Sequence, residues 1–209
     1  MKFDVETYLG AVTRSVETLK RQGEPMRAVT LSRSYATTAQ DLWDAIVNPE
    51  RLRRWFLPIS GDLKLGGHYQ LEGNAGGTIE RCEPPRHLYV TWEFGGGVSW
   101  VELRLEPKGQ EAELTLVHIC PINDHWTKFG PGAVGIGWDL GLLGLVGYLA
   151  GTPFDEATFS ASSEGKAYMR GSAEGWRRAD IASGEAESRA THAARQTAAF
   201  YTGETAEGT

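Results

Sequence analysis

The spacing of apolar residues changes along the chain, and each change marks an element. Across residues 4–22, Val5, Tyr8, Leu9, Val12, Val16 and Leu19 recur at three- and four-residue intervals, with Glu6, Arg14, Glu17 and Lys20 between them. This predicts a helix with one apolar stripe, ended by Gly23 and Pro25. Across 27–35 the period falls to two, through Val29, Leu31, Arg33 and Tyr35, which predicts a strand. Thr38 with Asp41 has the form of a capping box ahead of Leu42, Trp43, Ile46 and Val47. That helix must stop before Pro49, because proline drives the preceding residue out of the helical region. A short helical turn over 50–55 then delivers Trp55 and Phe56.

Alternating runs with turn residues between them follow. Gly66-Gly67 is read as a hairpin turn joining 62–65 to 68–72. Further strands are predicted over 78–83, 87–94, 99–106 and 111–119, separated by Asn74–Gly77, Pro84-Pro85, Gly95–Gly97 and Lys108–Gln110. The result is an antiparallel meander. After Pro121 the helical period returns. Val134, Trp138, Leu142, Leu145, Val146 and Leu149 predict one long helix over 131–149, rich in glycine, lying across the sheet. From Glu156 onward the chain is rich in Ala, Ser, Glu and Arg. One predicted helix has Tyr168, Met169, Ser172, Trp176 and Ala179 on one side, and a second ends at Phe200 and Tyr201.

Composition narrows the function classes. The 209 residues are 41% hydrophobic and 23% charged, with a net charge of −6, so the chain has material for a core and no basic footprint for nucleic acid. Cys82 and Cys120 are too few and too far apart for a disulfide framework, and no His/Cys/Asp cluster has metal spacing. The Gly95–Gly97 run lacks the lysine and helix of a phosphate loop. The N-terminus lacks a signal-like apolar core, and 135–149 is too short for a membrane span. The expectation is a cytoplasmic protein with no cofactor, no metal and no membrane insertion.

The segments PERLRRWF (49–56), GDLKLGGHY (61–69), EPPRHLYVTW (83–92) and WVELRLEPKGQEAELTLVH (100–118), in this order and followed by the long helix near Pro131, resemble the activator-of-Hsp90-ATPase homologue family of the START-related, Bet v 1-like superfamily. The resemblance covers about 27–149. It implies an α+β helix-grip fold: a curved antiparallel sheet wrapped around a long C-terminal helix, with a cavity between them and extra helices at both termini. The expected organisation is an N-terminal amphipathic helix over 1–24, a helix-grip domain over 25–151, a polar helical extension over 152–203 and a disordered tail over 204–209.

Strand alternation groups Leu88, Val90, Trp92 and Phe94, then Val101, Leu103 and Leu105, then Leu114, Leu116 and His118. If these face the long helix, Trp92 and His118 approach Trp138, Tyr69 and Ile79 face the same interior, and Trp55 with Phe56 closes one end. The expected ligand-binding set is Trp55, Phe56, Tyr69, Ile79, Trp92, Leu103, His118, Trp138 and Leu142. Plain core packing explains each of these equally well one by one, while their clustering favours a mostly apolar small-molecule site. His118 either meets a ligand or is a core histidine satisfied by its neighbours, and no nucleophile–base pair surrounds it. Asp139 either orients His118 or a ligand hydroxyl, or points to solvent, as its place beside an inward Trp138 favours. Glu93 and Glu102 are expected in solvent, and His125-Trp126 in a loop at the cavity mouth. The leading function is a small apolar or aromatic ligand-binding protein. The alternatives are a polyketide cyclase or aromatase, with His118 or Tyr69 moving a proton, and a protein-interaction or chaperone-cofactor module. In the last reading the terminal helices bury their stripes against each other or in a homodimer.

Overall fold

The computed structural model describes residues 4–152 and 155–205. In chain order the elements are α1 (Val5–Gly10), β1 (Thr13–Arg21), β2 (Glu24–Tyr35), α2 (Ala39–Val47), α3 (Pro49–Leu52), β3 (Ile59–Gly61), β4 (His68–Leu71), β5 (Gly76–Glu83), β6 (His87–Phe94), β7 (Gly97–Lys108), β8 (Glu111–Pro121), α4 (Asp124–Phe129), α5 (Gly132–Leu149), α6 (Glu156–Ala161), α7 (Ser163–Ala182) and α8 (Glu187–Thr202). The strands form one sheet in the order β1-β2-β8-β7-β6-β5-β4-β3. This is the α+β helix-grip fold. The chain divides into two compact units whose bounds differ from the expected sequential domains.

The first unit takes the described residues of 1–31, 121–143 and 155–209. The N-terminal helix expected over 1–24 is a correction here. Only Val5–Gly10 is helical, N-capped by Asp4, and Thr13–Arg21 is a strand. Six residues are too few to hold a helix without packing, and α1 leans on α7, where a Cβ on Gly171 would stand 2.3 Å from Leu9. The chain instead doubles back at Gln22-Gly23, both with positive φ (53° and 89°), a turn whose twist suits a hairpin. The stripe residues Val12 and Val16 are still buried, with Val16 in β1 rather than on a helix. His125-Trp126 belongs to helix α4, N-capped by Asn123, and Trp126 is buried with the Arg27 guanidinium 5.9 Å from its ring centre. On α7 the predicted side is the buried side: Tyr168, Met169, Ser172, Trp176 and Ala179. Its stripe is therefore covered by this chain itself. Glu204, expected in a disordered tail, pairs with Arg170 at 2.5 Å, and residues 206–209 lie outside the described residues.

Apart from Asp139, helix α5 is apolar on every side rather than along one stripe. Ile136, Leu140, Leu142, Leu143 and Leu145 are buried, while Val134, Trp138 and Val146 are half-buried. It has the length and mean hydropathy of a membrane span, but over half of it is buried within the protein, as befits a core helix. One of its glycines has a clear purpose: a Cβ on Gly135 would stand 2.3 Å from the Trp176 ring. The indole lies directly on the α5 backbone.

The second unit takes the described residues of 32–120 and 144–154. Thr38 caps α2 as the sequence suggests, its Oγ1 accepting from the Asp41 amide at 3.2 Å. The Asp41 carboxylate turns instead to Thr37 and to Arg51. Arg51 ties α2, α3 and the end of α5 together: it donates to Asp41 (2.8 Å), Asp44 (2.9 Å) and the Tyr148 hydroxyl (3.0 Å). The Gly66-Gly67 hairpin is wider than expected. The strand before it is Ile59–Gly61, and residues 62–67 form a loop whose Gly66 and Gly67 bond to Ile79. The long β6–β7–β8 meander appears at the predicted places.

Candidate functional site

The register of β5–β8 puts one set of side chains on one face. Ile79 pairs with Val90, Val90 with Val101 and Val101 with His118. The next row is Leu88, Leu103 and Leu116. Tyr69 pairs with Gly77, two residues from Ile79, and so shares this face. Trp92, Ser99 and Cys120 join it by alternation with Val90, Val101 and His118. A Cβ on Gly77 would stand 2.1 Å from the Thr91 carbonyl oxygen, so glycine lets β5 lie close to β6 where the Tyr69 hydroxyl donates to that oxygen (2.7 Å).

This face is apolar with one polar centre. His118 Nε2 lies 2.8 Å from Ser99 Oγ, and the Ser99 hydroxyl donates to the Trp92 carbonyl at 3.1 Å. With the single hydroxyl proton spent on Trp92, His118 carries its proton on Nε2 and donates to Ser99. The Trp92 ring meets the imidazole edge-on, with centroids 6.0 Å apart. Burial pushes His118 down to about 3, so it is neutral at neutral pH. Burial likewise pushes the Cys120 thiol up to about 12 and raises Tyr69 well above an ordinary phenol. None of these groups gains or loses a proton near pH 7.

Burial is uneven across the face. Tyr69, Ile79, Val90, Val101 and His118 are buried, whereas Leu88, Trp92 and Leu103 keep part of their surface accessible. Trp55 and Phe56 are also half-buried. Their rings are 5.6 Å apart, and Trp55 Nε1 donates to the Ala45 carbonyl at 2.9 Å. Phe94 keeps its place in the ladder opposite Gly97 but is 61% exposed, at the β6–β7 turn where the ladder ends. On α5, Trp138 is half-buried and Leu142 buried. Glu93 is exposed as expected, but Glu102 is not a free surface acid: it binds His87 at 2.6 Å and Arg104 at 2.6 Å.

Asp139 overturns its expected place in solvent. Its side chain is fully buried in the first unit. Arg14 grips it through Nε (3.1 Å) and Nη2 (2.7 Å), and Ser172 Oγ (2.5 Å) and Trp176 Nε1 (3.0 Å) donate to Oδ2. The remaining Arg14 nitrogen donates to the Leu9 and Val12 carbonyls, and the Tyr168 hydroxyl donates to the Asp139 carbonyl. Every charge in this cluster is matched by donors, which is the arrangement of a structural ion pair rather than of a reactive carboxylate. Among the described residues, no group of three or more His, Cys, Asp or Glu converges as metal ligands would.

The model of the family "Activator of Hsp90 ATPase homolog 1-like protein" matches residues 36–150. The chain belongs to this family. Among solved structures, the crystal structure of CalU16 from Micromonospora echinospora is 30% identical with a TM-score of 0.67, over 81% of this chain and 98% of CalU16. The solution structure of CalU16 gives 31% identity and 0.69 over 83% and 97%. This likeness is longer than the family span, so it takes in part of the elements that flank residues 36–150. Two further likenesses show the fold alone. One is an Hsp90 activator from Plasmodium falciparum (21% identical, TM-score 0.51, over 60% of this chain and 97% of that one). The other is DynU16, a protein of the dynemicin biosynthetic locus (19%, 0.50, over 60% and 48%). Among curated proteins, none matches the chain.

Of the residues expected to bind a ligand, the register brings Tyr69, Ile79, Trp92, Leu103 and His118 to one face. Ser99 and Cys120 share that face and were not in the expected set, although the same period of two, carried two residues outward from Val101 and His118, reaches both.

Proposed function

We propose that this family member binds a small apolar or aromatic molecule against the apolar face of its sheet, on Tyr69, Ile79, Trp92, Leu103 and His118, with Trp55 and Phe56 nearby. The observation that carries the reading is the partial exposure of Leu88, Trp92 and Leu103 on a face where Tyr69, Ile79, Val90, Val101 and His118 are buried. Apolar groups that keep accessible surface beside a single polar centre are what a small-molecule site requires. The His118–Ser99 pair orients Trp92 and offers a neutral dipole rather than a charge.

The proton inventory favours binding over cyclase or aromatase chemistry. General acid–base catalysis works best with a group whose pKa lies near the working pH, and burial moves both His118 and Tyr69 away from it. The chaperone-cofactor reading has no observation of its own in this chain, since the Plasmodium falciparum likeness shows only the fold. A net charge of −6 and two free thiols, Cys82 and Cys120, fit a reducing cytoplasm and no nucleic acid.

Titration with 2-naphthol and with 8-anilinonaphthalene-1-sulfonate tests the reading. Saturable one-to-one binding that Trp92→Ala abolishes is expected. No saturable binding by either probe, or binding that is unchanged in Trp92→Ala, would refute it.

A further inference from the structure

A second buried carboxylate in the first unit is treated very differently from Asp139. Asp180, in the last turn of α7, is 3% exposed, and its Oδ1 has no hydrogen-bond partner. It lines a recess of about 10 Å³ with Phe129, Trp176, Arg177 and Ala193. Such a volume holds about one water and excludes any organic ligand.

Positive charge stands close by but is engaged elsewhere. Arg27 of β2 donates to Ser183 Oγ (3.4 Å) and to Glu185 (3.3 Å), in the turn that follows α7. Arg27 Nε, like Asp180 Oδ1, is buried without a partner. Arg189 of α8 also leans on Glu185, at 3.7 Å. Arg177, on α7 itself, is paired with Glu174 at 2.7 Å. At the α4–α5 junction the Gly130 backbone comes close: a Cβ there would stand 3.7 Å from Asp180 Oδ2 and 3.1 Å from Ala193. Two carboxylates thus compete for Arg27, and Glu185 holds it.

We propose that Asp180 is a proton-controlled switch: protonated, it leaves Arg27 bound to Ser183 and Glu185, and ionised, it draws Arg27 away from that turn. The step is a simple loss of one proton to solvent. Burial raises the Asp180 carboxyl to about 6, with Glu185 adding to the rise and Arg27 and Arg189 opposing it, which places the change in a physiological range.

The sign is fixed by linkage. A carboxyl raised in the fold stabilises below its unfolded value of 3.8, and that stabilisation is lost as pH rises through about 6. The wild-type full-length protein, labelled with ¹³C and ¹⁵N, tests this by NMR from pH 4 to 8. Expected are an Asp180 carboxyl midpoint near 6 and a step in the Ser183 and Glu185 amide shifts at the same midpoint. Asp180→Asn should abolish that step, and Glu185→Gln, by freeing Arg27, should move the Asp180 midpoint down by at least one pH unit. A wild-type midpoint in the ordinary carboxylate range of about 4, or amide steps that persist in Asp180→Asn, would overturn the proposal. The wild-type titration decides even if a variant fails to fold.

Discussion

Asp139 and His118 are both fully buried polar residues, yet their surroundings differ. Around Asp139, charge, hydroxyl and indole close every bond, and Trp176 rests on the bare backbone of Gly135. Around His118, the Ser99 hydroxyl is a neutral polar contact, and Leu88, Trp92 and Leu103 on the same face stay partly accessible. The first arrangement spends its polar groups on fixing positions. The second keeps apolar surface in reserve. The closed polar cluster and the face proposed for binding therefore belong to different units of one chain.

Four experiments break or sharpen this contrast, from large effect to small. Asp139→Ala leaves the Arg14 guanidinium buried without its counter-charge and should cost about 3–5 kcal/mol in urea unfolding. A loss under about 1 kcal/mol would mean that the ion pair does not lock the first unit. Gly135→Ala forces a methyl into the Trp176 ring and should cost about 1–3 kcal/mol, with the tryptophan near-UV circular dichroism altered. His118 gives a pH signature. Its folded value, about 3, lies below the ordinary histidine value of 6.5, so its contribution is present above 6.5 and is lost as pH falls through the folded value. The slope should be at most about 1.4 kcal/mol per pH unit in this window. His118→Gln should remove that part of the slope, as unfolding curves at pH 7 and pH 5 would show. Asp180 contributes with the opposite sign between about 4 and 6, so the double variant His118→Gln/Asp180→Asn separates the two. Trp92→Phe should cost less than about 1 kcal/mol, because the site keeps a ring and was never fully packed. It should nevertheless weaken probe binding measurably in the same titrations.

The sheet was legible in sequence because its signal is local. Val101, Leu103 and Leu105 alternate, as do Leu114, Leu116 and His118, and a meander with short turns leaves little freedom in register. The α7 stripe from Tyr168 to Trp176 was legible for the same reason. β1 was not. Val5, Tyr8, Leu9, Val12, Val16 and Leu19 fit a helical period, and the Gln22-Gly23 turn looks the same in sequence whether it ends a helix or joins two strands. The Asp139 cluster was illegible because its partners Arg14, Ser172 and Trp176 lie 125, 33 and 37 residues away. A lone acid beside a tryptophan carries no sign of them. For the candidate site, alternation identified the face but could not tell which apolar side chains stay partly exposed.

The claim that the sheet face is a binding surface is tested most directly by mapping a probe onto it. In a ¹H–¹⁵N titration of the full chain with 2-naphthol, the largest shifts should fall on Tyr69, Val90, Trp92, Val101 and His118, with the Trp92 indole among the first to move. Shifts confined to other residues, or none at millimolar probe, would contradict it.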